Sequence, residues 1–227
     1  MAVYCVITGG TGFIAAYIVK SLLKKRTTVR DPDTNIQRFS LNLSYQRFRL
    51  NPLYQDDVQQ VSPLNEYHWS NLEYCKRYNL WYAFAKTTAE KEAWKIAEES
   101  GIDLVVVNPS FVVGPFLAPQ PTSTLQLILT IVKDDVTAAH ILAMEESKAS
   151  GRLVCSSSVA HWSEIIDMLK DKYPPYPFEE RCGTHEGGNN PHNMDSSKII
   201  ELGLPPLKPL DQMFDDCIKS FQDKGFF

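Results

Sequence analysis

The sequence predicts an α/β fold, a doubly wound parallel sheet followed by a small C-terminal lobe. Three stretches carry that reading. "VYCVITGGTGFIAAYIVKSLLKK" runs strand, glycine turn, helix; "AKTTAEKEAWKIAEES" is rich in helix-forming Ala, Glu and Lys; and "IDLVVVNPS" is short, apolar and β-branched, as a buried parallel strand must be.

The first element breaks at Gly9 and Gly10 and then repeats Phe13, Ile14, Tyr17, Ile18 and Leu22 with helical spacing. Its glycine frame is Gly9-x-x-Gly12-x-x-Ala15. Small residues there let the backbone approach a pyrophosphate, and the free N–H groups at the helix start face the phosphates. The stretch Thr8, Gly9, Gly10, Thr11, Gly12, Phe13, Ile14 is therefore expected to cradle a dinucleotide, in a Rossmann-type arrangement. The next strand, "TTVRDPD", ends on Arg30. A carboxylate at that place holds a ribose 2′-hydroxyl, whereas an arginine forks onto a 2′-phosphate, so NADP(H) is expected over NAD(H).

Residues 34–56, "TNIQRFSLNLSYQRFRLNPLYQD", alternate Phe39, Leu41, Leu43 and Tyr45 with Ser40, Asn42 and Ser44, the pattern of a half-buried strand. Farther on, "WYAFAK" sets Tyr82 and Lys86 four residues apart, on one helical face. Ten tyrosines in 227 residues give such a pair with lysine roughly 0.7 times by chance, so the spacing alone decides little. Its setting decides more: a cofactor fingerprint lies upstream, and the helix stops at Gly101 before the strand "IDLVVVNPS". When hydride adds to a carbonyl, negative charge develops on oxygen and a phenol can supply the proton. Phenols ordinarily titrate near pH 10, and a cation one turn away stabilises the phenolate. Lys86 is placed to do this.

Beyond the strand, "IVKDDVTAAHILAMEE" reads as a helix that Asp134 could cap. From Gly151 onward prolines and turns increase, and "SEIIDMLKDKY" and "LDQMFDDCIKSF" have apolar spacing fit for packing, with Met168 and Met213 as core. The expected division is residues 1–150, a cofactor-binding domain, and residues 151–227, a substrate lobe.

Composition narrows the function further. A net charge of -4 without a long Lys/Arg stripe argues against a nucleic-acid binder. Five scattered cysteines with no Cys-x-x-Cys predict reduced thiols and a cytoplasmic protein. No apolar run approaches the ~20 residues of a membrane span. His185 and His192, in a Gly/Asn-rich loop, read as surface residues, and no metal is expected.

Taken together, "TGGTGFIAAYIVKSLL", "TTVRDPD", "YNLWYAFAKTTAEKEAW", "VVVNPSFVVGPFLAP" and "DDVTAAHILAMEE" resemble the extended short-chain dehydrogenase/reductases of plants. Within them the likeness is to the dihydroflavonol reductase and cinnamoyl-CoA reductase group, nearest to tetraketide α-pyrone reductases, over most of residues 1–33 and 57–227. The resemblance implies an NADPH-dependent reductase acting on a small-molecule carbonyl, with Tyr82 as proton donor and Lys86 tuning it and holding the nicotinamide ribose. It also implies that Pro109, Ser110, Phe111 and Val112 lie along the nicotinamide and that Thr124 contacts the cofactor. Ala83 and Ala85 stand where cinnamoyl-CoA reductases have Cys and Gly, which speaks against thioester reduction.

Two departures point to a shortened chain. Family members carry a Ser, in a Thr-Ser-Ser run closing a strand before the Tyr helix, that polarises the substrate carbonyl; no such run precedes Tyr82 here. Gly9 and Tyr82 are also only 73 positions apart, whereas several strand–helix units at ~30 residues each need ~120. Ser40 or Ser44 could stand in for the missing Ser only by accident of the new segment, and "CSSS" at 155–158 follows a different strand. The alternative to an active reductase is a shortened, silent family member that only binds nucleotide or a protein partner.

The Arg30 reading is directly testable. Arg30→Ala is expected to weaken NADPH binding by ~1.5–3 kcal/mol, the range for a charge-assisted hydrogen bond, and to leave NADH nearly unchanged. Titration of both cofactors checks this, and equal losses would remove the role.

Overall fold

A computed structural model describes residue 18 and residues 38–42, 63–110, 134–160, 162–175 and 193–225. Among them three parallel strands form one sheet in the order β1 (Arg38–Asn42), β2 (Asp103–Pro109), β3 (Gly151–Cys155). The run read as a buried parallel strand is β2, at the centre, and every residue after Asp103 is buried. Its register sets Phe39 beside Leu104 and Val107 beside Leu153.

Alternation along the strands sends successive side chains to opposite faces. Val105, Val107, Leu153 and Cys155 meet Val136, Ala139 and Ala143 of α3 (Asp134–Glu145), together with Ile199 of α5 (Ser197–Glu201) and Leu204. Leu104 and Val106 meet Ala93, Trp94 and Ala97 of α2 (Trp81–Ser100) on the other face. Helices on both faces of a parallel sheet are the doubly wound arrangement that the sequence predicts. In the N-terminal helical pattern, Ile18 is helical and buried.

Two pairings go beyond the sequence. The atypical 34–56 segment does supply a strand, β1, and it hydrogen-bonds to β2 as a full member of the sheet. The sheet also continues past residue 150, where the sequence suggested a division: β3 pairs with β2, and Ile199 and Leu204 pack in the same core as α3. A parallel strand needs a long crossover, so chain distance hides which strands are neighbours.

Local signals explain the helix ends. Asn71 caps α1 (Leu72–Arg77), its Oδ1 accepting the Tyr74 N–H at 2.9 Å. Asn79, at φ 54°, takes the left-handed conformation that asparagine tolerates best after glycine, and the chain turns there from α1 into α2. Cys75 and Ala83 pack across that corner. Gly101, also left-handed at φ 66°, ends α2, and the Ile102 N–H reaches back to the Ala97 carbonyl at 2.9 Å. Near the C-terminus, Lys172, at the end of α4 (Trp162–Lys172), and Tyr173 just beyond it both donate to Asp215 of α6 (Leu210–Asp223). Met213 is buried in α6 and Met168 of α4 is half-buried.

His140 is buried on α3, and its Nδ1–H donates to the Val136 carbonyl at 2.7 Å. Burial outweighs that bond and lowers its pKa from 6.5 to about 4. The folded state therefore keeps the ring neutral while the unfolded chain takes up a proton below pH 6.5. The stabilisation is complete above that value and is lost as pH falls toward 4, by about 3 kcal/mol in total. Urea unfolding between pH 7.5 and 5 is expected to show a falling midpoint, and His140→Gln should flatten that part of the dependence.

Candidate active site

The Tyr82/Lys86 pair sits in the first turns of α2, and the helix–sheet packing fixes its height. Ala97 of α2 packs with Leu104 and Val106 of β2. Going back from Ala97 to Lys86 covers ~16 Å at 1.5 Å per residue, and going forward from Leu104 to Pro109 covers ~16 Å at 3.3 Å per residue. Lys86 is thus level with Pro109, at the carboxyl ends of the strands, where open α/β sheets take their ligands.

Geometry within the pair is that of convergence. Lys86 Nζ lies 5.5 Å from the Tyr82 ring centroid, within reach of a cation–π contact. Tyr82 is 43% exposed, so a molecule from solvent can reach it. Ala83 and Thr87 are buried on the adjoining stripe, which turns Tyr82 and Lys86 toward the rim of the helix–sheet contact rather than into it.

At the same level, Pro109 is fully buried, and the Ser110 N–H donates to the Cys155 carbonyl at 3.1 Å, which holds the end of β2 to β3. Asn108 points to the α2 side, on the face of Leu104 and Val106. Its amide oxygen and nitrogen, and the Thr87 hydroxyl, are buried with no hydrogen-bond partner among the described residues. Buried polar atoms ordinarily have partners, so the carboxyl end of β2 holds polar groups whose hydrogen bonds are unmet.

Behind the pair lies an ion-pair network that the sequence reading missed. Glu90, two turns after Tyr82 and fully buried, accepts from Arg152 of β3 at 2.6 Å (Nε to Oε1) and 3.3 Å (Nη2 to Oε2). Arg152 Nη1 donates to the Glu66 and His68 carbonyls at 2.6 and 2.7 Å, and its guanidinium stacks 4.0 Å from the Trp69 ring centroid. Trp94 Nε1 adds a 3.4 Å contact to Glu90, and Glu66 Oε1 accepts from the Val154 N–H at 3.0 Å. The signal for it was present: Glu90 continues the stripe of Tyr82 and Lys86 at one further four-residue step.

The remaining predicted positions divide simply. Thr8, Gly9, Gly10, Thr11, Gly12, Phe13, Ile14, Arg30, Phe111, Val112 and Thr124 lie outside the described residues, as do Ser44, His185 and His192. Ser40 pairs in register with Val105, mid-strand. The "CSSS" run is tied down structurally, since the Ser156 N–H donates to Ser196 Oγ and Ser196 Oγ–H to the Ser156 carbonyl, both at 2.9 Å. Cys75, Cys155 and Cys217 are buried cysteines, and burial pushes the thiols of Cys155 and Cys217 up to about 12. No metal-ligating cluster occurs among the described residues, and no helix among them is long and apolar enough to cross a membrane.

Comparison with known proteins agrees with this architecture. No family model matches the chain. It is 45% identical to tetraketide alpha-pyrone reductase 2 of Arabidopsis thaliana, over 96% of this chain and 98% of that protein. That alignment runs over 318 positions against a chain of 227, so internal stretches of the relative have no counterpart here. Cinnamoyl-CoA reductase 2 of Medicago truncatula is 31% identical, over 88% of this chain and 63% of its own length. Vestitone reductase of alfalfa shares the fold at a TM-score of 0.72 and 23% identity, over 99% of each chain. With one relative matched nearly end to end, the chain belongs to the dihydroflavonol reductase and cinnamoyl-CoA reductase group of short-chain dehydrogenase/reductases.

Proposed function

We propose that this chain is an NADPH-dependent reductase of a ketone or related carbonyl in a polyketide- or phenylpropanoid-type molecule. The observation that carries the reading is the Lys86 ammonium over an exposed Tyr82 ring, at the carboxyl ends of a parallel sheet, in a chain 45% identical to a tetraketide α-pyrone reductase. Thr8 to Ile14 would cradle the pyrophosphate and Arg30 the 2′-phosphate. Pro109, Ser110, Phe111 and Val112 would line the nicotinamide, with Thr124 as a further contact. Residues 1–150 would chiefly hold the cofactor and residues 151–227 would shape the substrate side. A cytoplasmic location accords with the cysteine pattern and the buried thiols.

In this scheme NADPH supplies the hydride when bound. Tyr82 gives its phenolic proton to the carbonyl oxygen as charge grows there. Lys86 stabilises the phenolate left behind and is itself held within one helical turn, so no reorganisation is needed at that moment. The fit of the described residues to such a ligand rests on the partnerless Asn108 amide and Thr87 hydroxyl beside the pair.

A second reading, a silent nucleotide- or partner-binding chain, is favoured by the alignment that outruns the chain's own length and by the missing Thr-Ser-Ser run. Two measurements separate the readings. Tyr82→Phe keeps the ring and its packing, so turnover should vanish while the melting temperature stays the same. The equivalent change in a full-length relative provides a control, and an active phenylalanine variant would refute the role.

The second measurement is turnover itself, in purified protein with NADPH and a panel of aromatic and polyketide ketones. Loss of one carbonyl-polarising donor typically costs ~10²–10³ in rate. Weak NADPH binding, some aggregation and only trace reduction are expected. Turnover near ~1 s⁻¹ or faster, within the ordinary enzyme range, would show that the 34–56 segment rebuilds the site.

A further inference from the structure

The Glu90–Arg152 pair is buried far more deeply than a surface staple needs, and its position on α2 gives it a consequence for Lys86. Lys86 and Glu90 are four residues apart on one helix, the spacing at which an ammonium and a carboxylate meet. A bare Glu90 carboxylate would draw the Lys86 ammonium down the helix and away from Tyr82. Instead, both Glu90 oxygens are engaged by one guanidinium from β3, and Lys86 Nζ stands over the Tyr82 ring, one turn in the opposite direction.

We infer that Arg152 is a positioning residue that saturates Glu90 and so leaves the Lys86 ammonium to Tyr82. The arrangement around it supports a fixed rather than an exchangeable partner. Arg152 is held from four sides: by Glu90, by the Glu66 and His68 carbonyls, and by the Trp69 ring. Lys91 Nζ also lies near that aromatic, 5.6 Å from the Trp69 ring centroid. The β3 backbone that carries Arg152 is itself pinned, since Lys198 Nζ donates to the Ser150 and Arg152 carbonyls, each at 2.8 Å. The guanidinium therefore arrives at Glu90 from a part of the sheet that α2 cannot drag with it.

This inference rests on the Tyr82/Lys86 reading for its role in catalysis, and its test is chosen to stand without turnover. Lys86 acetylation by a water-soluble acylating reagent is followed residue by residue by mass spectrometry, in the parent chain, Arg152→Gln, Glu90→Gln and the double Glu90→Gln/Arg152→Gln chain. Arg152→Gln should slow Lys86 labelling by about twofold or more, as an ion-paired amine is less available, with other lysines unchanged. The double variant should return to the parent rate, because the competing carboxylate is gone; a merely structural clamp would leave it as perturbed as the single variant, and that result would overturn the inference. If Arg152→Gln does not fold, Glu90→Gln decides. Parent-like labelling supports the inference, and labelling faster by about twofold would overturn it, since Lys86 would already be paired with Glu90.

Where turnover is measurable, Arg152→Gln should lower kcat by about tenfold with KM little changed, and the double variant should recover most of it. An inactive parent chain refutes the reductase reading and leaves the labelling result to judge Arg152 by itself.

Discussion

A parallel strand has to be covered on both faces, and β2 is where this chain meets that requirement. Its buried run from Leu104 to Pro109 takes α2 on one side and α3 with α5 on the other. Each apolar residue in the run therefore chooses a helix, and each helix acquires a fixed height against the sheet. The position of Tyr82 and Lys86 at the carboxyl ends of the strands follows from that packing, because α2 runs antiparallel to β2 and is long enough to reach Pro109. A helix shorter by two turns would have ended with the same core contacts and no pair at the rim.

The second constraint is electrostatic. Burying Glu90 costs several kcal/mol unless an opposite charge and further hydrogen bonds accompany it. Arg152 meets that need with a forked contact, two backbone carbonyls and an aromatic face, so the network is satisfied instead of half made. Such a pair adds little net stability compared with apolar packing, and here it ties α2 to β3 across the sheet.

The family relationship and the shortness of the chain pull in different directions. The motifs of the group stand in order, and one relative aligns from end to end, yet that alignment is longer than the chain. The segment that departs from the family nevertheless makes β1 and pairs with β2 through five residues. An alternating apolar segment of any origin can pair with a neighbouring strand such as β2, since the N–H and C=O groups along a strand accept any extended backbone. Pairing with β1 supplies hydrogen bonds along one side of β2.

How much of this was legible in the sequence varies with the range of the interaction concerned. Local signals carried far: the β-branched run gave β2, Gly101 marked the end of α2, the alternation of Phe39 and Leu41 with Ser40 and Asn42 foretold β1, and the four-residue step brought Lys86 to Tyr82. These are effects of neighbours within a turn or a pleat, which the chain's own spacing encodes. Strand order, the inclusion of β3 in the same sheet beyond residue 150, and the meeting of Glu90 with Arg152 across 62 positions were decided only in three dimensions. Parallel pairing and buried ion pairs join residues whose separation along the chain carries no trace of their contact, so only the packed structure could supply them.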